Sequence, residues 1–139
     1  MAIILDHTIV PAADKVASAK FFAELFGLAY DGLFGPFAPV RINDSLTMDF
    51  DDRWKEFGIH HYAFHVSEAD FDAIFGRVKV RGLTYGSGPM AQGDMRVGEF
   101  NGGRTVYFHE LNGHLLEIRT KTSAEDIAAM RQSVGHTAR

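Results

Sequence analysis

The chain has 139 residues, of which 46% are hydrophobic and 23% charged; this fits one compact domain and excludes a disordered or fibrous protein. It has no cysteine, which excludes disulfides, thiolate metal sites and a cysteine nucleophile, and its net charge of -4 without a basic run argues against nucleic-acid binding. Apolar runs are only a few residues long and no basic segment precedes one at the N-terminus, so we expect neither a membrane span nor a secretory signal, and cytoplasmic residence is the default.

The first half of the chain is predicted to form a strand, a helix and a pair of strands. The expected elements are a strand over Ile3–Val10, a helix over Ala12–Phe26, and strands over Pro36–Ile42 and Leu46–Phe50. Asp14 is expected in the first turn of the helix, where a negative charge suits the helix dipole, and Gly27 at its C-cap. Asn43-Asp44, between the two later strands, is typical of a tight hairpin turn.

The same succession is predicted in the second half. The expected elements are a strand over Ile59–Val66, a helix after Ser67, closing strands over Thr105–Phe108 and Leu115–Thr120, and a terminal helix over Ser123–Gln132. Ser67 and Asp70 resemble a capping box, Gly82 is expected to end the helix, and Asn112-Gly113 separates the closing strands. The glycine-rich segment 86–103 is expected to be a binding loop or a disordered segment, and not a phosphate-cradling loop because no helix follows it.

The two halves form a weak internal repeat. The aligned segments are 6–10 with 60–64, 27–30 with 82–85, and 46–48 with 116–118. This alignment makes Thr47 the counterpart of Glu117. Because neither half alone buries much surface, the halves must pack together or against a second copy of the chain. We expect one domain over residues 1–122, with modules over approximately 3–52 and 57–120, followed by a helix and tail over 123–139.

Ionisable side chains recur on one face of the predicted strands. Since side chains alternate along a strand, His61 and His65 share a face with Ala63. The bulky apolar residues that alternate with them face the helices; these are Tyr62, Phe64 and Val66. The same alternation puts His7 and Glu117 on the face away from the helices. If that face curves inward, two imidazoles and one carboxylate converge, a ligand set that suits Fe, Mn, Ni, Co or Zn and leaves positions open for water and substrate.

Each of these residues also has a structural interpretation. A single strand histidine is more often hydrogen-bonded or exposed than a ligand, and a single strand glutamate is usually an exposed charge. His60 is expected to face solvent at the start of its strand. The residue pattern by itself therefore leaves the metal site and an ordinary sheet surface both open.

Three segments resemble the glyoxalase/bleomycin-resistance/dioxygenase proteins, also called the vicinal oxygen chelate superfamily. They are Asp6-His7-Thr8-Ile9-Val10 with its helix, His60-His61-Tyr62-Ala63-Phe64-His65-Val66, and the segment 106–117, in which Glu110-Leu111 replaces the family's usual Asp-Pro. The resemblance covers most of residues 3 to 120. It implies an α+β fold of two βαβββ modules, whose curved mixed sheet surrounds one divalent metal held by His7, His61 and Glu117.

The resemblance does not select one subfamily. Glyoxalase I enzymes have a fourth protein ligand where this chain has Thr47, a poor ligand, although Asp49 on the same face could replace it. Extradiol dioxygenases and fosfomycin-resistance transferases place a tyrosine ten residues before the glutamate, as Tyr107 is here. The dioxygenases carry a further histidine upstream of that tyrosine, where this chain has Val97-Gly98-Glu99. Tyr107, as hydrogen-bond donor or proton-transfer group, and His65, as a second base, are the catalytic candidates.

The resemblance also implies an assembly and two possible functions. In single-domain relatives, the first module of one chain pairs with the second module of its partner, so a homodimer would combine His7 of one chain with His61 and Glu117 of the other. The metal would chelate two oxygens of a small-molecule substrate as a Lewis acid, in a dioxygenase-like or a lyase/glyoxalase-like reaction. The alternative is a metal-free dimer that sequesters a drug, as bleomycin-resistance proteins do.

Overall fold

The computed structural model describes residues 2–137, which form three helices and eight strands in an α+β arrangement. In chain order the elements are β1 (His7–Pro11), α1 (Lys15–Phe26), β2 (Ala38–Arg41), β3 (Thr47–Asp51), β4 (His61–His65), α2 (Glu68–Val80), β5 (Tyr85–Gly86), β6 (Gly98–Phe100), β7 (Gly103–His109), β8 (Leu115–Arg119) and α3 (Ser123–Thr137). They divide into two compact units. The first unit holds the chain through His60 together with Glu110–His114, and the second holds His61–His109 and the chain from Leu115 onward.

The first unit contains a three-stranded sheet with α1. The strand order is β1-β3-β2, with β1 parallel and β2 antiparallel to the central strand. The strand predicted from Ile3 begins only at His7, because the register pairs His7 with Thr47, the first residue of β3, and no strand residue lies beyond it to pair with Ile3. The side chains of Ile3, Ile4 and Leu5 are accordingly exposed.

The residues predicted to lie at the two ends of helix α1 do so, with one correction to the position of Asp14. Asp14 is the N-cap and not a first-turn residue, and its carboxylate accepts a hydrogen bond from the amide of Ala17 at 3.1 Å. Gly27 ends the helix in the left-handed region at φ 71°. The buried face of the helix includes Phe22 and Leu25.

The connection between β2 and β3 is wider than the two-residue turn expected at Asn43-Asp44. The amide of Ile42 donates to the carbonyl of Leu46, and Asn43 Oδ1 accepts from the amides of Ser45 and Leu46 at 2.9 Å each. Neither Asn43 nor Asp44 has the positive φ that a type I′ turn requires. The Asn43 side chain itself therefore closes the loop.

The second unit contains a mixed sheet with α2. Its strand order is β4-β8-β7-β5, β4 runs parallel to β8, and β6 pairs with β7. Ser67 caps α2 by accepting from the amide of Asp70 at 3.1 Å, and Gly82 follows the helix at φ 67°, as expected from the sequence. One face of α2 is buried through Phe71, Ile74 and Val78.

The segment 86–103 has more regular structure than the sequence predicts. It contains β5 and β6 at its ends, and the Asp94 carboxylate accepts from the amides of Ser87 and Arg96 at 3.0 and 3.1 Å. A Cβ on Gly86 would lie 2.0 Å from the Ala91 carbonyl oxygen, so a side chain at this position would force the backbones apart. The glycines here permit close backbone approach.

The α+β class expected from the sequence is confirmed. The terminal helix α3 begins at Ser123 as predicted and extends through Thr137, beyond the predicted end at Gln132; the last two residues of the expected tail lie outside the described residues. Among residues 2–137, no helix is both long and apolar enough to span a membrane.

Candidate metal centre

One face of the second sheet carries most of the candidate site residues. The registers of β4, β8 and β7 place side chains in three rows across the sheet. The rows are His61–Leu115–His109, Ala63–Glu117–Tyr107 and His65–Arg119–Thr105. On the opposite face, Leu116 and Ile118 are buried. The alternation predicted from the sequence therefore puts His61, Glu117 and Tyr107 on adjacent positions.

The ring of His61 is oriented by the backbone of the neighbouring strand. Its Nδ1 lies 3.0 Å from the carbonyl oxygen of Leu115, so Nδ1 carries the proton and donates to this acceptor. The lone pair of Nε2 is then directed away, and Nε2 lies 3.3 Å from Oε1 of Glu117. Ligand histidines typically donate their second ring nitrogen to a carbonyl or carboxylate in this way.

The two facing atoms, Nε2 of His61 and Oε1 of Glu117, suit a cation better than they suit each other. With the proton on Nδ1, both atoms present lone pairs, and Glu117 has a side chain only 6% exposed. Two ligand atoms bound to one metal at about 2.1 Å and at a right angle are about 3 Å apart, close to the observed separation. The donor chemistry and spacing of this pair therefore fit two adjacent ligands of one divalent metal.

The other oxygen of Glu117 is held by the protein. Oε2 accepts a hydrogen bond of 2.8 Å from the hydroxyl of Thr105 and lies 3.8 Å from Nη1 of Arg119. Arg119 also pairs with Asp126 of α3. Thr105 is a site residue that the sequence pattern did not indicate, although its alternation with Tyr107 on β7 places both on the same face.

Tyr107 lies directly opposite Glu117 in the β7–β8 ladder. Burial raises the pKa of Tyr107 to about 12, and the charge of Glu117 and a hydrogen bond to that carboxylate act in the same direction. Its ring is stacked with that of His61 at 6.0 Å between centroids. At neutral pH the phenol is therefore protonated and donates a hydrogen bond.

His65 is separated from the His61–Glu117 pair. It is exposed at the far end of β4, and its ladder partner is Arg119. The negative charge of Glu125, near the start of α3, lies close enough to interact with it electrostatically. His65 is thus accessible on the same face but one row beyond Glu117.

His7 is the candidate ligand of the first unit. Its Nδ1 lies 2.8 Å from Oδ2 of Asp6, and this hydrogen bond raises the pKa of His7. Because Nδ1 contacts the carboxylate, Nε2 is the ring nitrogen available to bind a metal, as it is in His61. The carboxyl of Asp49 is near enough to His7 to affect it electrostatically, and burial raises the pKa of Asp49.

The strand register corrects the internal alignment of the repeat. Glu117 pairs with Ala63, two residues after His61, whereas the residue that pairs with Ile9, two residues after His7, is Asp49. Asp49, and not Thr47, is therefore the structural counterpart of Glu117. The sequence alignment is displaced by two residues, which leaves every side chain on its correct face.

A cavity of about 510 Å³ opens beside His7 within the first unit. Its apolar walls include Phe34, Phe37 and Pro39. Its polar lining comprises the charged and hydroxyl groups of Asp6, His7, Asp31, Arg41, Thr47 and Asp49. The volume is in the ordinary range of small-molecule sites.

Two residues that were expected to face solvent, His60 and Glu110, are less exposed than predicted. His60 is half-buried, and its amide donates to Nδ1 of the fully buried His114 at 2.9 Å. Glu110, expected in an exposed turn, is only 5% exposed, and its carboxylate accepts from the amides of Asn112 and His114. The backbone amides of a tight turn need hydrogen-bond acceptors, and the buried carboxylate of Glu110 supplies them.

Within residues 2–137 of a single chain, no three His, Asp or Glu side chains gather closely enough to hold a metal. The structure brings Glu117 and Tyr107 to His61 in the second unit, and places His7 with Asp6 and Asp49 in the first. Each of the two sheets thus carries one histidine close to a carboxylate.

Comparison with known proteins identifies the family. No family model matches the chain. It is 45% identical to the solved structure of oxidase ChaP-H2, with a TM-score of 0.83 over 88% of this chain and 96% of that one. It is 26% identical to the glutathione transferase FosA of Serratia marcescens, over 92% of this chain and 88% of the relative. The chain belongs to the vicinal oxygen chelate superfamily, as its motifs suggested.

A more distant structure shows the same fold with a metal. A mutant of the fosfomycin resistance protein FosX from Listeria monocytogenes, complexed with Mn(II) and 1S,2S-dihydroxypropylphosphonic acid, is 19% identical with a TM-score of 0.66 over 91% of this chain and 97% of that one. The closer relatives are named as an oxidase and a transferase, and this supports the expectation that the present chain is an enzyme.

Proposed function

We propose that this protein is a divalent-metal-dependent enzyme whose metal is held by His7 of one protomer and by His61 and Glu117 of its partner. The observation that carries the proposal is the 3.3 Å approach of Nε2 of His61 to Oε1 of Glu117, with Nδ1 already used by the Leu115 carbonyl. With Nε2 unprotonated, a cation between these atoms converts a repulsive contact into a favourable one. Fe, Mn, Ni, Co and Zn all accept this ligand set.

The protein groups around the pair have separate tasks. When bound, the metal supplies Lewis acidity toward oxygens of a chelated small molecule. Tyr107, with its pKa raised to about 12, is protonated and donates a hydrogen bond toward the Glu117 side of the site. His65 is exposed on the same face and is the candidate second base.

The cavity beside His7 indicates the character of the substrate. Its walls of Phe34, Phe37 and Pro39 favour an apolar, ring-bearing body, with oxygens directed toward His7. Three carboxylates and a single guanidinium, Arg41, line the same cavity, so the protein itself offers few cationic groups to a doubly charged phosphonate. This balance favours the oxidase- or dioxygenase-like reaction over a fosfomycin-type transfer.

The metal-free, drug-sequestering dimer is the second candidate function. The apolar part of the same cavity favours it, since a ring-bearing drug could be held there without chemistry. It differs from the first proposal in requiring no cation between His61 and Glu117. Metal analysis of protein purified without chelators separates the two, because the enzyme should carry about one metal per chain.

Mixing two inactive variants tests the shared site. His7→Ala and Glu117→Gln chains should each lose tight metal binding. In a heterodimer with sites shared between protomers, both substitutions fall in one site and the other site is intact. Co-refolding equal amounts should therefore restore metal binding at about one quarter of the sites, by random assortment into symmetric dimers. Sites built within one chain would give no recovery, and a monomer in sedimentation would also contradict the proposal.

A further inference from the structure

The two oxygens of the Glu117 carboxylate are in different environments. Oε1 faces Nε2 of His61 at 3.3 Å, whereas Oε2 accepts the hydroxyl hydrogen of Thr105 at 2.8 Å. Nη1 of Arg119 adds positive charge on the same side, 3.8 Å from Oε2. A carboxylate bound in this way has one oxygen already stabilised by the protein and one left for another partner.

The fold explains why Thr105 reaches Glu117. Thr105 pairs with Arg119 in the β7–β8 ladder and Tyr107 pairs with Glu117, so Thr105 is the diagonal neighbour of Glu117 on the same face. Asp126 of α3 pairs with Arg119, which keeps the guanidinium beside the strand. The side chain of Glu117 is 6% exposed, so solvent contributes little to its orientation.

We propose that Thr105 is a positioning residue: its hydroxyl holds Oε2 of Glu117 and so makes Glu117 a one-oxygen ligand through Oε1. This inference rests on the metal-dependent function proposed above. Without the hydroxyl, Oε2 loses its 2.8 Å hydrogen bond, and the carboxylate is less firmly held in the orientation that directs Oε1 toward His61. Groups that orient a ligand in this manner commonly change metal affinity by about 10- to 100-fold.

The test compares three threonine variants by metal affinity. Thr105→Val keeps the branched shape of the side chain and removes the hydroxyl, and Thr105→Ser keeps the hydroxyl and removes the methyl group. Thr84→Val is the matched control, because Thr84 is an exposed threonine in the same unit. Calorimetric titration of the dimer with Mn(II) should show affinity at least about tenfold weaker for Thr105→Val, and near the wild-type value for the serine variant and the control.

A spectroscopic readout separates positioning from a change in stability. Co(II) added in place of Mn(II) has visible absorption that depends on its coordination, so Thr105→Val should alter the band shape while Thr105→Ser preserves it. If the threonine acts only through packing, the melting temperature of the metal-free protein should fall for the serine variant and stay near the wild-type value for the valine variant. Loss of metal binding in the serine variant equal to or greater than that in the valine variant would overturn the proposal.

The outcome also distinguishes this inference from the function on which it rests. Wild-type affinity and an unchanged Co(II) spectrum in Thr105→Val, with loss of binding in Glu117→Gln, would reject positioning by Thr105 and leave the metal site in place. If Glu117→Gln also binds Mn(II) as tightly as the wild type, the proposed metal-dependent function fails, and the role of Thr105 fails with it.

Discussion

Asp49 occupies in the first sheet the position that Glu117 occupies in the second. Each pairs with the residue two places after a candidate ligand histidine, and each lies on the sheet face that carries that histidine. The two carboxylates differ in their strand neighbours, because Asp49 is opposite Pro39 where Glu117 is opposite Tyr107. Both sheets therefore present a histidine and a carboxylate, but only the second adds a phenol.

Removing the charge of Asp49 should weaken metal binding. Asp49 adds negative charge beside His7, so we expect Asp49→Asn to lower metal affinity by about tenfold, or about 1.4 kcal/mol, less than Glu117→Gln. Calorimetric titration with Mn(II) measures the difference. Affinity equal to that of the wild type would show that Asp49 contributes only to the cavity wall.

Glu117→Gln should abolish the stabilisation that metal gives to the folded protein. A ligand that binds only the native state stabilises it by about 2.7 kcal/mol at a hundredfold excess over its Kd. The wild type should therefore gain melting temperature on metal addition, and the variant should gain little. Glu99→Gln is the matched control, because Glu99 is an exposed strand glutamate in the same unit. A wild-type response in both variants would make Glu117 a structural carboxylate.

Glu110→Gln should show the reverse pattern. Glu110 accepts hydrogen bonds from the amides of Asn112 and His114 through Oε1 and from Nδ2 of Asn112 through Oε2. In the glutamine variant, the side-chain NH₂ group would face another N–H donor in either orientation. We therefore expect a loss of about 1–3 kcal/mol in the free energy of unfolding. The metal-induced gain in melting temperature should persist. Chemical denaturation with and without metal separates these effects.

The stability contributed by Asp51 should depend on pH. Hydrogen bonds from the Arg53 side chain lower the pKa of the buried Asp51 carboxyl. Because the folded pKa lies below the unfolded one, the stabilisation is complete above the ordinary pKa and is lost as the pH falls through the folded value. Asp51→Asn should thus be less stable than the wild type at pH 7, and the two should converge below about pH 4. A constant difference across this range in urea denaturation would exclude the mechanism.

The sequence predicts the face of each candidate side chain better than its register. Alternation along β4 and β8 places His61 and Glu117 together, and the structure confirms this. It cannot distinguish Thr47 from Asp49 as the counterpart of Glu117, because a slip of two residues preserves the face. Only the hydrogen-bonded pairing of β1 with β3 resolves the choice.

Other features depend on contacts distant in sequence. Local pattern predicts the caps at Ser67 and Gly27, since a cap involves neighbouring residues. The burial of His114 could not be predicted in the same way, because its hydrogen-bond partners lie 50 or more positions away in the chain. Thr105 was also missed, since its role depends on the diagonal offset between β7 and β8.

The hairpin turn at residues 110–114 affects the order in which the parts of the chain can fold during synthesis. Asn112 accepts from the amide of Ala13 and donates to Ser18, and Nε2 of His114 donates to the carbonyl of Pro11, so the turn completes the first unit. During synthesis, the N-terminal sixty residues leave the ribosome well before these partners exist. The first unit consequently cannot reach its final hydrogen bonding during translation of its own strands, and must wait until residues 61–109 of the second unit and the turn itself have emerged.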